Sequence, residues 1–274
     1  MVSSRFSKAV SLIALLGLAG GVRAQGKKTP SLGEILQRLE ANLNHYDAGV
    51  PSLFCDEYAT SSRIEPGERD YNRETDSVFR LRRTTQADHT ISLVESREIK
   101  SADGRPVGAQ KMDGPALLSG IFEGGLAVAS VDQTKCMNYS LERINRKRPG
   151  DPYVVRFATV LTAQNRADCF LQEESKGRVL IDPASMQVKR LEITTPHHVI
   201  EDGSGYATGE VGRRELSVDY APVLLGDGTF WMPSAIGMRT ASGSGFETVV
   251  WAFRAVYRNY HRMEVTSRIH EGKD

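Results

Sequence analysis

The sequence is poor in the features that announce chemistry. No G-x-S-x-G, H-E-x-x-H, P-loop or G-x-G-x-x-G run occurs, which removes the signatures of common secreted hydrolases, zinc peptidases and nucleotide-binding folds. Gly203-Ser204-Gly205 and Gly243-Ser244-Gly245 read as flexible loops. Only three cysteines are present, none spaced C-x-x-C, so a cysteine-bound metal has no support. An excess of one charge is also missing: 35 basic and 34 acidic residues give no electrostatic reason to expect nucleic acid or an anionic membrane as partner. The one basic cluster, Arg143, Arg146, Lys147 and Arg148, contains no aromatic residue and runs into Pro149-Gly150-Asp151-Pro152, the pattern of a solvated loop. No internal period exists, which excludes a solenoid or propeller. The long apolar run, residues 9–22, has 14 residues against the about 20 a membrane-spanning helix needs.

What is present begins with that run. Arg5 and Lys8 precede it and Val22-Arg23-Ala24 ends it, which fits a signal peptide over 1–24, cleaved before Gln25. The expected location is therefore periplasmic or secreted, with no transmembrane anchor after cleavage. No cysteine follows the cleavage point, which disfavours a lipid anchor. Residues 25–30 form a short polar leader, and 31–274 are expected to be a single β-rich domain. In an oxidising compartment three cysteines allow one internal bridge. Cys136 with Cys169 is the expected pair, because both lie in strand-like segments flanking the strand expected from Tyr153. Closing that loop stabilises the fold by about 3 kcal/mol in the chain-entropy account. Cys55, beside Asp56 and Glu57 and without a neighbouring base, reads as a small buried hydrophobe rather than a reactive thiol.

Ser31 with Glu34 makes a capping box. Leu32, Ile35, Leu36, Leu39 and Leu43 follow at helical spacing, so an amphipathic helix is expected up to Gly49. Strands are expected over 53–64, 77–85, 90–100, 135–143, 153–160 and 169–174. The clearest is the hairpin at 177–194, where Val179 and Ile181 alternate into Asp182-Pro183-Ala184-Ser185 and Leu191 and Ile193 alternate out of it. Residues 199–212, glycine-rich and polar, are expected to loop. Strands resume through Leu216, Val218 and Tyr220, through 230–239 and through 249–257, with a last short partner at Met263, Val265 and Ile269. Residues 114–130 break the rhythm and read as a short helix or an apolar loop over the sheet; a lid over a ligand cavity is the functional alternative.

One helix, about ten strands and no β–α alternation predict an α+β, mostly β fold. In it a long antiparallel meander curls into a half-barrel around the N-terminal amphipathic helix. Strand alternation points Phe79, Leu81, Ile91, Leu93, Val179, Ile181, Leu191, Ile193, Trp251 and Phe253 inward. Arg80, Arg82, Arg190, Glu192 and Arg254 then point to water. Whether the interior is packed or hollow is left open by the pattern.

The order of signal peptide, amphipathic helix and long meander, with a hairpin written Val179 to Ile181, Asp182-Pro183 and Val188 to Ile193, resembles the periplasmic lipoprotein-carrier superfamily of the LolA, LolB and RseB types. The run from Tyr257 to Val265 also resembles exported proteins of acidobacteria. The resemblance implies a half-open barrel with an apolar pocket for acyl chains. Phe79, Leu81, Ile91, Leu93, Val179, Ile181, Leu191, Trp251 and Phe253 are then the expected ligand-binding face.

No residue is nominated as catalytic or as a metal ligand, and no cofactor is implied. His197-His198 is the most metal-like pair, but neighbours on a strand diverge and a third ligand such as Glu201 or Asp202 would be needed. Asp56-Glu57 and Glu173-Glu174 diverge likewise, and so lack glycosidase geometry. His261 reads as a turn residue. Two classes of function remain. One is a non-catalytic envelope protein binding an apolar ligand, a lipid acyl chain or a lipoprotein. The other is a structural or sensory module with a solid core that meets another envelope protein.

Overall fold

Ser31 caps the helix as its spacing with Glu34 requires. Its hydroxyl accepts from the Glu34 amide, and the Glu34 carboxylate accepts from the Ser31 amide at 2.6 Å. Helix α1 (Leu32–Gly49) follows, burying Ile35, Leu36, Leu39 and Tyr46 on one face. At its far end the Arg83 guanidinium donates to the carbonyls of Asp47 (2.6 Å), Ala48 (3.0 Å) and Val50 (3.3 Å), filling acceptors a helix end leaves open. The computed structural model describes residues 29–64, 71–86, 91–107, 122, 125–142, 150–201, 207–242 and 248–263. The chain divides into two units, Met1–Pro30 and Ser31–Asp274, and the second carries the fold. The expected signal peptide, the basic cluster at 143–148, the two Gly-Ser-Gly loops and the partner strand beyond Met263 lie outside the described residues.

The strands are β1 (Leu53–Arg63), β2 (Tyr71–Thr85), β3 (Ile91–Ala102), β4 (Arg105–Pro106), β5 (Met137–Leu141), β6 (Tyr153–Thr159), β7 (Lys176–Ile181), β8 (Val188–Glu201), β9 (Ala207–Leu225), β10 (Gly228–Ser242) and β11 (Thr248–Arg262). All pair antiparallel in one sheet, ordered β4-β3-β2-β1-β11-β10-β9-β8-β7-β6-β5. The fold is thus the expected mostly-β half-barrel: the sheet is open, with β4 and β5 at its edges. It differs from a single continuous meander. Two meanders, β1–β4 and β5–β11, are joined because β1 pairs with β11, Glu57 opposite Tyr257 and Ser61 opposite Phe253.

Inward side chains of the sheet and the apolar face of α1 form one core, with Phe79, Leu53, Leu81, Ile181, Leu191, Met232 and Ile236 fully buried. Two short 3-10 turns, Gly125–Ala129 and Val131–Lys135, pack with α1 on that face; of the stretch 114–130, where a short helix or apolar loop is expected, residues 114–121, 123 and 124 lie outside the described residues. Gly177 is needed where it stands: a Cβ there would lie 2.0 Å from the Glu192 carbonyl oxygen and 2.5 Å from the Phe157 ring across the strand pair.

Two expectations are corrected. Residues 199–201 and 207–212 are strand, belonging to β8 and β9, while 202–206 lie outside the described residues; alternation fails there because a bulge between Thr195 and His198 switches the phase of burial. Residues 169–174 are not strand. The backbone of Phe170 bonds to the Gln133 side chain at 3.0 Å instead of a ladder partner. The disulfide Cys136–Cys169 nevertheless forms, with Cα atoms 5.7 Å apart, between the end of one 3-10 turn and the end of another (Arg166–Asp168). Cys55 is free and buried, and burial, with smaller effects of Glu57 and Asp56, pushes its thiol up to about 12.

Thiol labelling at pH 8 should therefore find no reactive cysteine in the native protein and one per chain after non-reducing denaturation. Cys136→Ser with Cys169→Ser should lower stability by about 3–4 kcal/mol in urea unfolding. Asp182 accepts from the Ser185 and Ala184 amides (2.8 and 3.1 Å) and the Ser185 hydroxyl, which hold its carboxyl below its ordinary range. A depressed carboxyl stabilises the fold above the unfolded value and ceases to do so as pH falls. The gap in thermal midpoint between wild type and Asp182→Ala should thus be widest near neutrality and close below about pH 4.

Candidate functional site

The most chemically distinctive place on the inner face is a buried carboxylate. Glu57 lies in the inward phase of β1 with Leu53, Cys55 and Ala59, opposite Ser77 of β2 and Tyr257 of β11. Its side chain is fully buried. Arg97 Nε donates to both its oxygens, at 2.9 and 2.7 Å, and the Tyr257 hydroxyl donates to Oε1 at 2.8 Å. Arg97 comes from β3, where it stands opposite Phe79, and its guanidinium lies 5.0 Å above the Phe79 ring. Burial alone would pull the Arg97 guanidinium down, but the hydrogen bonds and charge of Glu57 outweigh that and leave it raised. Burial and then the Glu57 charge push the Tyr257 phenol well up, so it stays a donor.

An aromatic cluster seats this group under α1. Phe79 stacks on Phe122 at 4.3 Å, and Tyr257 meets the two rings edge-on at 5.6 and 5.0 Å. The Phe122 amide donates to Glu95 of β3, and its carbonyl accepts from Tyr46 of α1 at 2.9 Å. Further polar links tie α1 down: Asn42 Nδ2 donates to the Met186 carbonyl at 2.7 Å, and Glu40 accepts from Ser130 Oγ and the Val131 amide, both at 2.9 Å. At that seam Leu39, Leu43, Leu126, Ala129 and Val188 border a cavity of about 10 Å³.

Of the expected ligand-binding face, Phe79, Leu81, Leu93, Val179, Ile181, Leu191 and Phe253 are buried on the inner side, packed in the core rather than lining an open void among the described residues. Trp251 is half-buried. Ile91 departs from the expectation: it is 47% exposed, because it shares the face of Leu93 but stands at the first position of β3, opposite Thr85 at the strand's end. The outer face behaves as alternation requires, with Arg82 and Arg254 exposed, Arg80 paired with Glu98, and Arg190 bridging Glu192 and Asp219. Its hollows are wide open to solvent, such as that bordered by Tyr139, Arg156, Ala158, Lys176, Arg178 and Glu192.

His197 is exposed and His198 half-buried. His198 Nδ1 lies 2.9 Å from Glu173, which also accepts from Arg214 and the Val199 amide, both at 3.1 Å. That cluster straps residues 169–175 to β8 and β9. Among the described residues no group of three His, Cys, Asp or Glu side chains could hold a metal ion, and no helix is long and apolar enough to cross a membrane.

Sequence reasoning placed Asp56 and Glu57 on opposite faces but missed what the inward one does. The signal was there: a carboxylate in the phase of Leu53, Cys55 and Ala59 must find partners in the core.

No protein-family model and no curated protein matches the sequence. Solved structures do resemble it. A LolA superfamily protein from Nitrosomonas europaea shares 12% identity, over 87% of this chain and 96% of that one, at a TM-score of 0.35. An outer membrane lipoprotein-sorting protein domain from Vibrio parahaemolyticus shares 10%, over 83% and 90%, at 0.34. A DUF1329 family protein from Desulfovibrio piger shares 8%, over 87% and 96%, at 0.37.

Removing one member of the buried pair leaves the other uncompensated. Arg97→Met should cost about 3–5 kcal/mol in urea unfolding, while Glu57→Leu with Arg97→Met should return to within about 2 kcal/mol of wild type.

Proposed function

We propose that the protein is an exported, non-catalytic envelope protein that takes an apolar ligand, a lipid acyl chain or the acylated end of a lipoprotein, against the inner face of its half-barrel. One observation carries this reading. An eleven-stranded sheet turns a largely apolar face inward, and the described elements laid across it are α1 and two 3-10 turns, held by hydrogen bonds at Asn42, Glu40 and Tyr46 and by Arg83 at the end of α1. The neutral bonds at Asn42 and Tyr46 contribute about 1 kcal/mol each and the charge-assisted ones at Glu40 and Arg83 about 1.5–3 kcal/mol each, so a ligand that buries a whole acyl chain, at about 0.8 kcal/mol per methylene, can compensate for their opening. The small cavity at Leu39, Leu43 and Val188 marks the seam where entry begins. The lining is the expected set, Phe79, Leu81, Leu93, Val179, Ile181, Leu191 and Phe253, with Trp251 and Ile91 at its margins. The periplasm or the exterior is the location, on the strength of the 1–24 segment and a disulfide that persists where conditions are oxidising.

A second reading has its own support. The described cavity on the inner side is about 10 Å³, too small for a chain, which favours a solid interaction module meeting another envelope protein. Native mass spectrometry of protein purified from the periplasm, with titration of n-alkyl fluorescent probes, separates the two. The carrier reading expects a lipid adduct and affinity rising about fourfold per added methylene until the site is full. No adduct and no saturable probe binding would replace it with the interaction module.

A further inference from the structure

Among the described residues, Ser61 Oγ, Thr75 Oγ1, Ser77 Oγ and Trp251 Nε1 on the inner face of β1, β2 and β11 are buried with no hydrogen-bond partner. The residues carrying the three hydroxyls are all more than nine-tenths buried, at 5%, 2% and 4% exposure. Register brings the four together. Ser77 stands opposite Glu57, Thr75 opposite Ala59, Ser61 opposite Phe253 and Trp251 opposite Arg63, so they climb the sheet in successive inward rows. Between them lie Ala59 and its β11 partner Ala255, which add no bulk. A buried hydroxyl without a partner costs stability that Ala or Val of similar size would not, and several in one patch ask for an explanation.

The chemistry of the patch narrows what would satisfy it. The indole N–H can only donate, and each hydroxyl can donate, so the complement is a group rich in acceptor oxygens. The neighbouring charges are already matched, Glu57 with Arg97 at its foot and Arg73 with Asp103 at its side. Resting on the carrier reading above, we infer that this floor binds the ester-linked glycerol head of an acyl lipid, the oxygen-rich group shared by acylglycerols and phosphoglycerides, while the chain lies along the apolar face toward α1. The orphaned hydroxyls are then a specificity device held at a cost to the unliganded fold.

The test displaces a bound fluorescent apolar probe with 1-lauroylglycerol, lauroyl lysophosphatidylglycerol and dodecane, on wild type and on Ser61→Ala/Thr75→Val/Ser77→Ala. Wild type should prefer the ester lipids to dodecane by about tenfold or more, and the triple variant should lose that preference while its affinity for dodecane changes less than about twofold. Its unliganded thermal midpoint should rise, by about 2–4 °C. Loss for both ester lipids assigns the glycerol ester as the bound group; loss for the phospholipid alone assigns its phosphate oxygens. If the variant keeps the preference, or its midpoint falls, the hydroxyls are structural and the inference is overturned while the carrier reading stands. If wild type binds dodecane without preferring the ester lipids, the inference alone falls. If no probe or lipid binds, both fall together.

Discussion

Everything in this fold depends on the pairing of β1 with β11. Each meander by itself is a ribbon with two open edges and one apolar face; joined, they make a surface wide enough to curve over α1. The same pairing assembles the buried polar group, since Glu57 comes from one meander and Tyr257 from the other, and the orphaned hydroxyls stand beside it. The centre of the sheet is therefore where the chain is least interchangeable.

The charge arrangement follows from strand alternation. Outward positions carry arginines and carboxylates in mutual pairs, where solvent makes each pair worth little and its loss tolerable. Glu57 and Arg97 follow the opposite logic. A buried pair gains little over an apolar pair of equal volume, yet neither partner can be lost alone, which fixes how β1, β3 and β11 sit against one another. The aromatic rings around it carry that constraint to α1 through Phe122 and Tyr46.

Local features were legible in the sequence, and features made by distant partners were not. The capping box at Ser31, the hairpin around Asp182 and the inward phase of Phe79, Leu81, Val179 and Leu191 are written within a few residues, and the structure has them. The Cys136–Cys169 pairing was found although Cys169 lies outside any strand, because proximity to β6 was the part of the reasoning that mattered. The end of β8 and the start of β9 were missed because a bulge breaks the alternation, and Gly212 sits where a Cβ would meet the Ala241 carbonyl oxygen at 2.3 Å. The buried site was missed for another reason: Glu57 finds Arg97 40 residues away and Tyr257 200 residues away, and no local pattern encodes such a meeting.

The separation of those two partners also fixes an order of events. Synthesis delivers β11 long after β1, so one edge of β1 waits for its neighbour while about 200 further residues are made. Bridging so long a span adds loop-closure entropy to the barrier, which slows formation of the finished sheet relative to its hairpins. In the interval the N-terminal meander presents an unpaired edge and an uncovered apolar side, the combination that invites wrong pairing between chains. The vulnerable period in the life of this molecule is therefore its assembly, and its yield depends on whatever shields β1 until β11 arrives.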